Sequence, residues 1–204
     1  IETNYHKSAA SYDEITKKVK TIEKTTTEEK NVQDEKKNEK NDSKEKNKVI
    51  IDFNTLEKIN SQAVGWITID GTVIDYPIAK GEDNQYYLNH SFDKEESSSG
   101  AIFVDKDCKE PFSQFLTSVY GHHMRNGTMF ADIKNYGNKE YAKKHSAITV
   151  YKKEKAITYQ VFAAVSKKSE NVFLYLDVSN DKNKENYIDK IKKDSIYWLN
   201  EDIT

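Results

Sequence analysis

The chain has 204 residues, of which 36% are hydrophobic and 32% charged, with a formal net charge of −2. That length fits one domain plus a tail, and the near-neutral balance gives no reason to expect a nucleic-acid partner. The single cysteine, Cys108, excludes an internal disulfide and a multi-cysteine zinc site.

In chain order, Tyr12, Ile15 and Val19 approximate a helical stripe and predict a short juxtamembrane-type helix within residues 1–20. No stretch is apolar for long enough to cross a bilayer. The chain starts at Ile1 rather than Met, so a removed N-terminal signal or anchor is expected. Residues 21–48 hold no aromatic residue and only Ile22 and Val32 as aliphatic ones. Such a run cannot offset the entropy of ordering its backbone, so a disordered Lys/Glu-rich linker is predicted. A lone charged helix held by i, i+4 pairs is the alternative. Composition shifts at Val49, which divides the chain into a tail of residues 1–48 and a domain of residues 49–204.

Asp52 or Asn54 can cap a short helix running through Leu56 and Ile59. The run GWITIDGTVIDYPIAK places β-rich segments on both sides of Asp70-Gly71, a hairpin signal of the type I′ kind. Pro77 should end or edge the second strand. DNQYYLNHSF reads as a turn or short helix, and GAIFVD and LTSVYGH as strands. TMFADIKNY predicts a helix with Thr128 near its start, and NKEYAKKH a shorter one. AITVYKK and AITYQVFAAVSK are strands joined by a charged turn at 152–155. Over residues 183–199, Tyr187, Ile188, Ile191, Ile196 and Leu199 share one broad face, an amphipathic helix. The sum is mostly β with helical insertions, a β-barrel or β-roll.

The most informative stretch runs from Val119-Tyr120-Gly121-His122-His123-Met124 to Asn126-Gly127-Thr128-Met129-Phe130-Ala131. A histidine at a strand end, just after a glycine, sits at a rim on a rigid support. An imidazole there can exchange protons near neutral pH. Taken alone, such a histidine is more often a structural hydrogen-bonder. The His122-His123 pair is a poor metal site, because adjacent side chains on a strand point to opposite faces.

The order of the blocks adds to this. GWITIDGTVIDYPIAKGEDNQYYLNHSF, then GAIFVD, then SVYGHHMRNGTMFADI resembles the class B sortases, cysteine transpeptidases of the outer face of Gram-positive bacteria. The likeness spans residues 60–199, and only the ordered set is specific. It implies a sortase-like β-barrel of eight strands with His, Cys and Arg as catalytic groups. His122 takes the acid–base position, while His123 falls where the family varies. Tyr120 and Asn84 match positions bordering the substrate groove. Phe173 and Leu174 fall in a loop that forms a groove wall, although core packing reads equally well for them and for Tyr86 and Tyr87. The resemblance implies no metal and no organic cofactor. The implied partners are sorting-signal peptides of the LPxTG or NPxTN kind and a peptidoglycan amine acceptor. The implied location is the extracytoplasmic face of the plasma membrane or the cell wall, with membrane contact only through a missing N-terminal anchor.

The pattern is also broken. In the family the Cys and Arg follow the long helix on the last two strands, whereas this chain ends at Thr204. Cys108 precedes His122 in the loop-like context Asp107-Cys108-Lys109-Glu110-Pro111 and reads as a free loop thiol with an ordinary pKa of about 8.5. Arg125, the only arginine, reads as a solvated turn residue. The expectation is a barrel short of two strands, inactive as given and aggregation-prone unless its sheet is completed. A non-catalytic remnant that binds peptide or a wall protein is the second reading. An unrelated β-barrel binding module is the third.

Overall fold

The structure is a computed structural model that describes residues 2–25, 46–168 and 177–199. It begins with helix α1, Glu2–Val19, followed by β1, Lys20–Thr25, and β2, Lys46–Ile51. The predicted stripe on α1 is real, but it is not solvated: Tyr12, Ile15 and Val19 are buried and belong to the main core. Burying each such side chain is worth about 1.5–3 kcal/mol, so α1 is part of the folded unit. Strands β1 and β2 pair antiparallel over six residues each, from Lys20 opposite Ile51 to Thr25 opposite Lys46. The division at Val49 is therefore corrected for residues 2–25 and 46–48. The expected linker at 26–45 lies outside the described residues.

Helix α2, Phe53–Ile59, starts at Asp52, whose carboxylate accepts from the Thr55 backbone N–H at 3.1 Å and the Thr55 hydroxyl at 2.6 Å. Its buried residues Phe53 and Leu56 face the core. Then come β3, Ala63–Thr68, and β4, Asp75–Ala79, paired antiparallel. The turn between them is not type I′. Only Gly71 has positive φ, at 74°, and Thr72 N–H donates to the Ile69 carbonyl, a pattern that needs one left-handed residue rather than two. Pro77 lies inside β4, opposite Trp66. It is tolerated because β5, Ile102–Val104, pairs with β4 only from Ile78 onward. At Pro77 that side of β4 still carries no ladder.

The main sheet has six strands in the order β6-β5-β4-β3-β7-β8, with β6 Val119–Tyr120, β7 Ala147–Tyr151 and β8 Ala156–Gln160. Only the β4–β5 pair is parallel, so residues 80–101 form the crossover between them. The central strands are buried along most of their length, and Trp66, Ile78, Ile102 and Val104 are fully buried. In contrast, β8 is largely exposed. Strands β6 and β8 are the two edges of a half-barrel.

The predicted helix at TMFADIKNY is a 3₁₀ segment, Ala131–Gly137, that follows Phe130 rather than Thr128. The shorter helix is α3, Lys139–Lys144, capped by Asn138. A small antiparallel ribbon joins β9, Ala163–Ala164, to β10, Tyr197–Trp198. Between them lies α4, Asp181–Asp194. It ends before Ile196 and Leu199, so the predicted face is cut short. Tyr187, Ile188 and Ile191 are half-buried on it, and none of its residues is fully buried.

Candidate functional site

His122 stands just past β6, raised by the Phe103–Tyr120 and Val104–Val119 pairs of β5 and β6. Gly121 precedes it, and an added Cβ would lie 2.4 Å from Ile102 Cδ1 and 2.7 Å from Phe130 Cδ2, so those side chains would have to shift to admit one. The His122 carbonyl accepts from the Phe130 N–H at 2.9 Å, which folds the 123–129 turn back over the strand end. The ring is half-buried, and its Nε2 lies 2.7 Å from the Leu88 carbonyl oxygen. A carbonyl only accepts, so Nε2 carries the proton and Nδ1 is the basic nitrogen. Leu88 ends the 3₁₀ turn Tyr86–Leu88, which Asp83 caps by accepting from the Gln85 and Tyr86 N–H groups at 2.8 Å each. Those bonds lower the Asp83 pKa.

Asn84 and Tyr120, separated by 36 positions in sequence, meet at one carboxylate. Asp105 Oδ2 accepts from the Tyr120 hydroxyl at 2.7 Å and from Asn84 Nδ2 at 2.9 Å. Its other oxygen accepts from the Asp107 N–H at 2.9 Å, and Asn84 Oδ1 accepts from the Lys106 N–H at 2.9 Å. Burial pushes the Asp105 pKa up, but the bonds from Tyr120, the Asp107 N–H and Asn84 outweigh it and hold the carboxyl below its ordinary range. An ionised carboxylate accepting several donors behaves this way. The structure thus brings Tyr120 and Asn84 together at Asp105, while His122 lies two residues past Tyr120 and is held separately by the Leu88 carbonyl.

The other expected residues divide. His123 and Arg125 are exposed in the 123–129 turn. Tyr87 is fully buried and packs on Phe103, a core residue, while Tyr86 is exposed and stacks on His90 at 4.0 Å. Phe173 and Leu174 lie outside the described residues. Cys108 corrects its reading as an ordinary loop thiol. It is buried between β5 and β6, 3.9 Å from Thr117 Oγ1, and burial raises its pKa. A thiol so placed is a poor nucleophile at neutral pH.

Two groups escaped the sequence reading. Asp105 was visible as the last letter of the GAIFVD block, but an aspartate after a strand carries no signal by itself. The Leu88 carbonyl is backbone, which no side-chain pattern marks. Among the described residues, no three His, Cys, Asp or Glu side chains come together to hold a metal. A surface depression of about 550 Å³ lies beside Gly81, Glu82 and Lys106, and none of His122, Asn84 or Tyr120 lines it.

The model of the sortase domain matches residues 67–191. The sortase B of Listeria monocytogenes is 32% identical over 149 residues, covering 73% of this chain and 61% of that protein. The chain thus spans about three fifths of that relative's length. The Staphylococcus aureus sortase B–substrate complex superimposes with a TM-score of 0.66 at 33% identity, over 74% of this chain and 69% of that one. The Bacillus anthracis sortase B in complex with AAEK1 gives 0.76 at 25% identity, over 100% of this chain and 87% of that one.

Proposed function

The chain belongs to the sortase family, within it to the class B sortases, and from that premise we propose that it carries the peptide-recognising and proton-transferring part of a cysteine transpeptidase. The substrates are sorting-signal peptides of surface proteins, of the LPxTG or NPxTN kind, and the acceptor is a peptidoglycan amine at a Gram-positive cell envelope. The observation behind this reading is the convergence of Asn84 and Tyr120 on Asp105, with His122 two residues past Tyr120 and held by the Leu88 carbonyl. A solved relative bound to its substrate supports the peptide as ligand.

In this mechanism an extended peptide lies along the rim, and a thiolate attacks the Thr carbonyl to give a thioacyl intermediate. His122, its Nε2 proton held by the Leu88 carbonyl, exchanges protons through Nδ1 with the leaving amine and then the incoming one. Cys108 does not serve as that thiol, because it is buried and its pKa is raised. Arg125, exposed in its turn, does not serve as the oxyanion donor. Within the described residues we assign peptide binding to Asn84 and Tyr120 and proton exchange to His122.

The test is incubation of the chain with a fluorescent Asn-Pro-x-Thr-Asn or Leu-Pro-x-Thr-Gly peptide, followed by intact mass analysis. Saturable peptide binding with no thioester adduct at Cys108 is expected. An adduct mapped to Cys108 would overturn the assignment of its role, and absence of binding to either peptide would overturn the function.

A further inference from the structure

We propose that Asp105 is a positioning residue for peptide recognition, a carboxylate that fixes how Asn84 and Tyr120 face the groove; this rests on their reading as groove residues. The amide of Asn84 is held by two partners of opposite and unchangeable role. The ionised Asp105 carboxylate only accepts, and the Lys106 N–H only donates. Flipping the amide would set oxygen against oxygen and NH₂ against N–H, so one orientation survives. In that orientation Nδ2 has spent one hydrogen on Asp105 and has a second to offer a ligand, which suits a peptide carbonyl.

Tyr120 is fixed through the same oxygen. Its hydroxyl proton goes to Asp105 Oδ2, and its ring packs on Phe103 with centroids 5.2 Å apart. Tyr120 lies two residues before His122, on the strand end that carries it. Asp105 is itself anchored from below. Its N–H donates to the Ser118 carbonyl at 3.0 Å, its carbonyl accepts from the Cys108 N–H at 3.0 Å, and Oδ1 holds the Asp107 N–H. The 80–101 crossover through Asn84, the end of β5 and strand β6 through Tyr120 therefore share one carboxylate. Ligands that read the groove through its hydrogen-bond polarity depend on Asp105 without touching it.

Two substitutions separate positioning from simple support. Asp105→Ala removes every side-chain bond. Asp105→Asn can still turn an oxygen toward Tyr120 and Asn84, but it then sets NH₂ against the Asp107 N–H. Both variants lose melting temperature. By fluorescence anisotropy with the two labelled peptides, Asp105→Ala should bind about tenfold or more weakly, the effect of losing a bond to a charged group. Asp105→Asn should stay within about threefold of the parent on the same scale. Parent affinity in Asp105→Ala, or an equal loss in both variants, overturns the proposal. If the parent chain binds neither peptide, the proposed function fails and the network is read from melting alone. Tyr120→Phe should then cost less in the Asp105→Ala background than in the parent. Strictly additive losses would overturn the network too.

Discussion

Gly100→Ala is the sharpest test of how His122 is held. Gly100 has φ of 58°, and an added Cβ would lie 2.5 Å from the Tyr87 carbonyl oxygen, 2.9 Å from that of Leu88 and 3.1 Å from His122 Cδ2. The two nearest atoms are backbone and cannot swing aside. The left-handed conformation costs alanine about 1–2 kcal/mol, and the overlap adds about 1–3 kcal/mol by analogy with overpacked cores. The sum is about 2–5 kcal/mol, or roughly 4–20 °C in melting temperature for a chain of this size. Gly127→Ala is the control. Its φ is 84°, but nothing lies within 4 Å of the added Cβ, so only the backbone cost of about 1–2 kcal/mol applies. The gain from stiffening the unfolded chain is common to both variants and cancels. Urea titration at matched m-values should therefore place Gly100→Ala about 1–3 kcal/mol below Gly127→Ala. Histidine ¹⁵N spectra should show the Nε2 resonance of His122 moving in the first variant only, as the Leu88 carbonyl is pushed away. Equal stability losses, or an unmoved His122 signal in Gly100→Ala, would refute the carbonyl clamp.

Other outcomes follow from the same contacts. Tyr12→Ala should cost about 3–5 kcal/mol, as for other large buried aromatics, because the ring is in the core and its hydroxyl donates to the Gly100 carbonyl at 2.9 Å. A loss under 1 kcal/mol in urea titration would restore α1 to the status of a tail. Cys108 should react with a chromogenic disulfide reagent only slowly in native buffer and fully in urea, since it is 4% exposed; rapid native labelling would contradict its burial. Asp105 has a folded pKa below its unfolded value of about 3.9. Its contribution to stability is therefore complete above that value and lost as pH falls through the folded pKa. The stability gap between the parent and Asp105→Asn should shrink below about pH 4, and a gap that stays constant into stronger acid would count against the ionised hub.

Much of the fold was legible in the chain because its signals are local. The Asp52 cap, the paired runs around Asp70-Gly71, and the strand-Gly-His order at 119–122 each lie within a few residues of backbone. The stripe Tyr12, Ile15, Val19 was also visible, but not its destination. Its place is set by contacts 82 and 88 residues away, Ser11 to Asp93 and Tyr12 to Gly100. The charged strands β1 and β2 were hidden for a related reason. The charged stretches at 20–25 and 46–48 pair through a backbone ladder that no apolar pattern announces. The sequence by itself offered His122 as a group able to exchange protons, from its place after a strand and a glycine. Only the tertiary structure decided that Asn84 and Tyr120 share the Asp105 carboxylate, that a backbone carbonyl sets the tautomer of His122, and that Cys108 is buried. Those are facts of three-dimensional proximity. A hydrogen bond reads distance in space, and residues 84, 105 and 120 become neighbours only when the 80–101 crossover brings β5 alongside β4 and β6 pairs on β5.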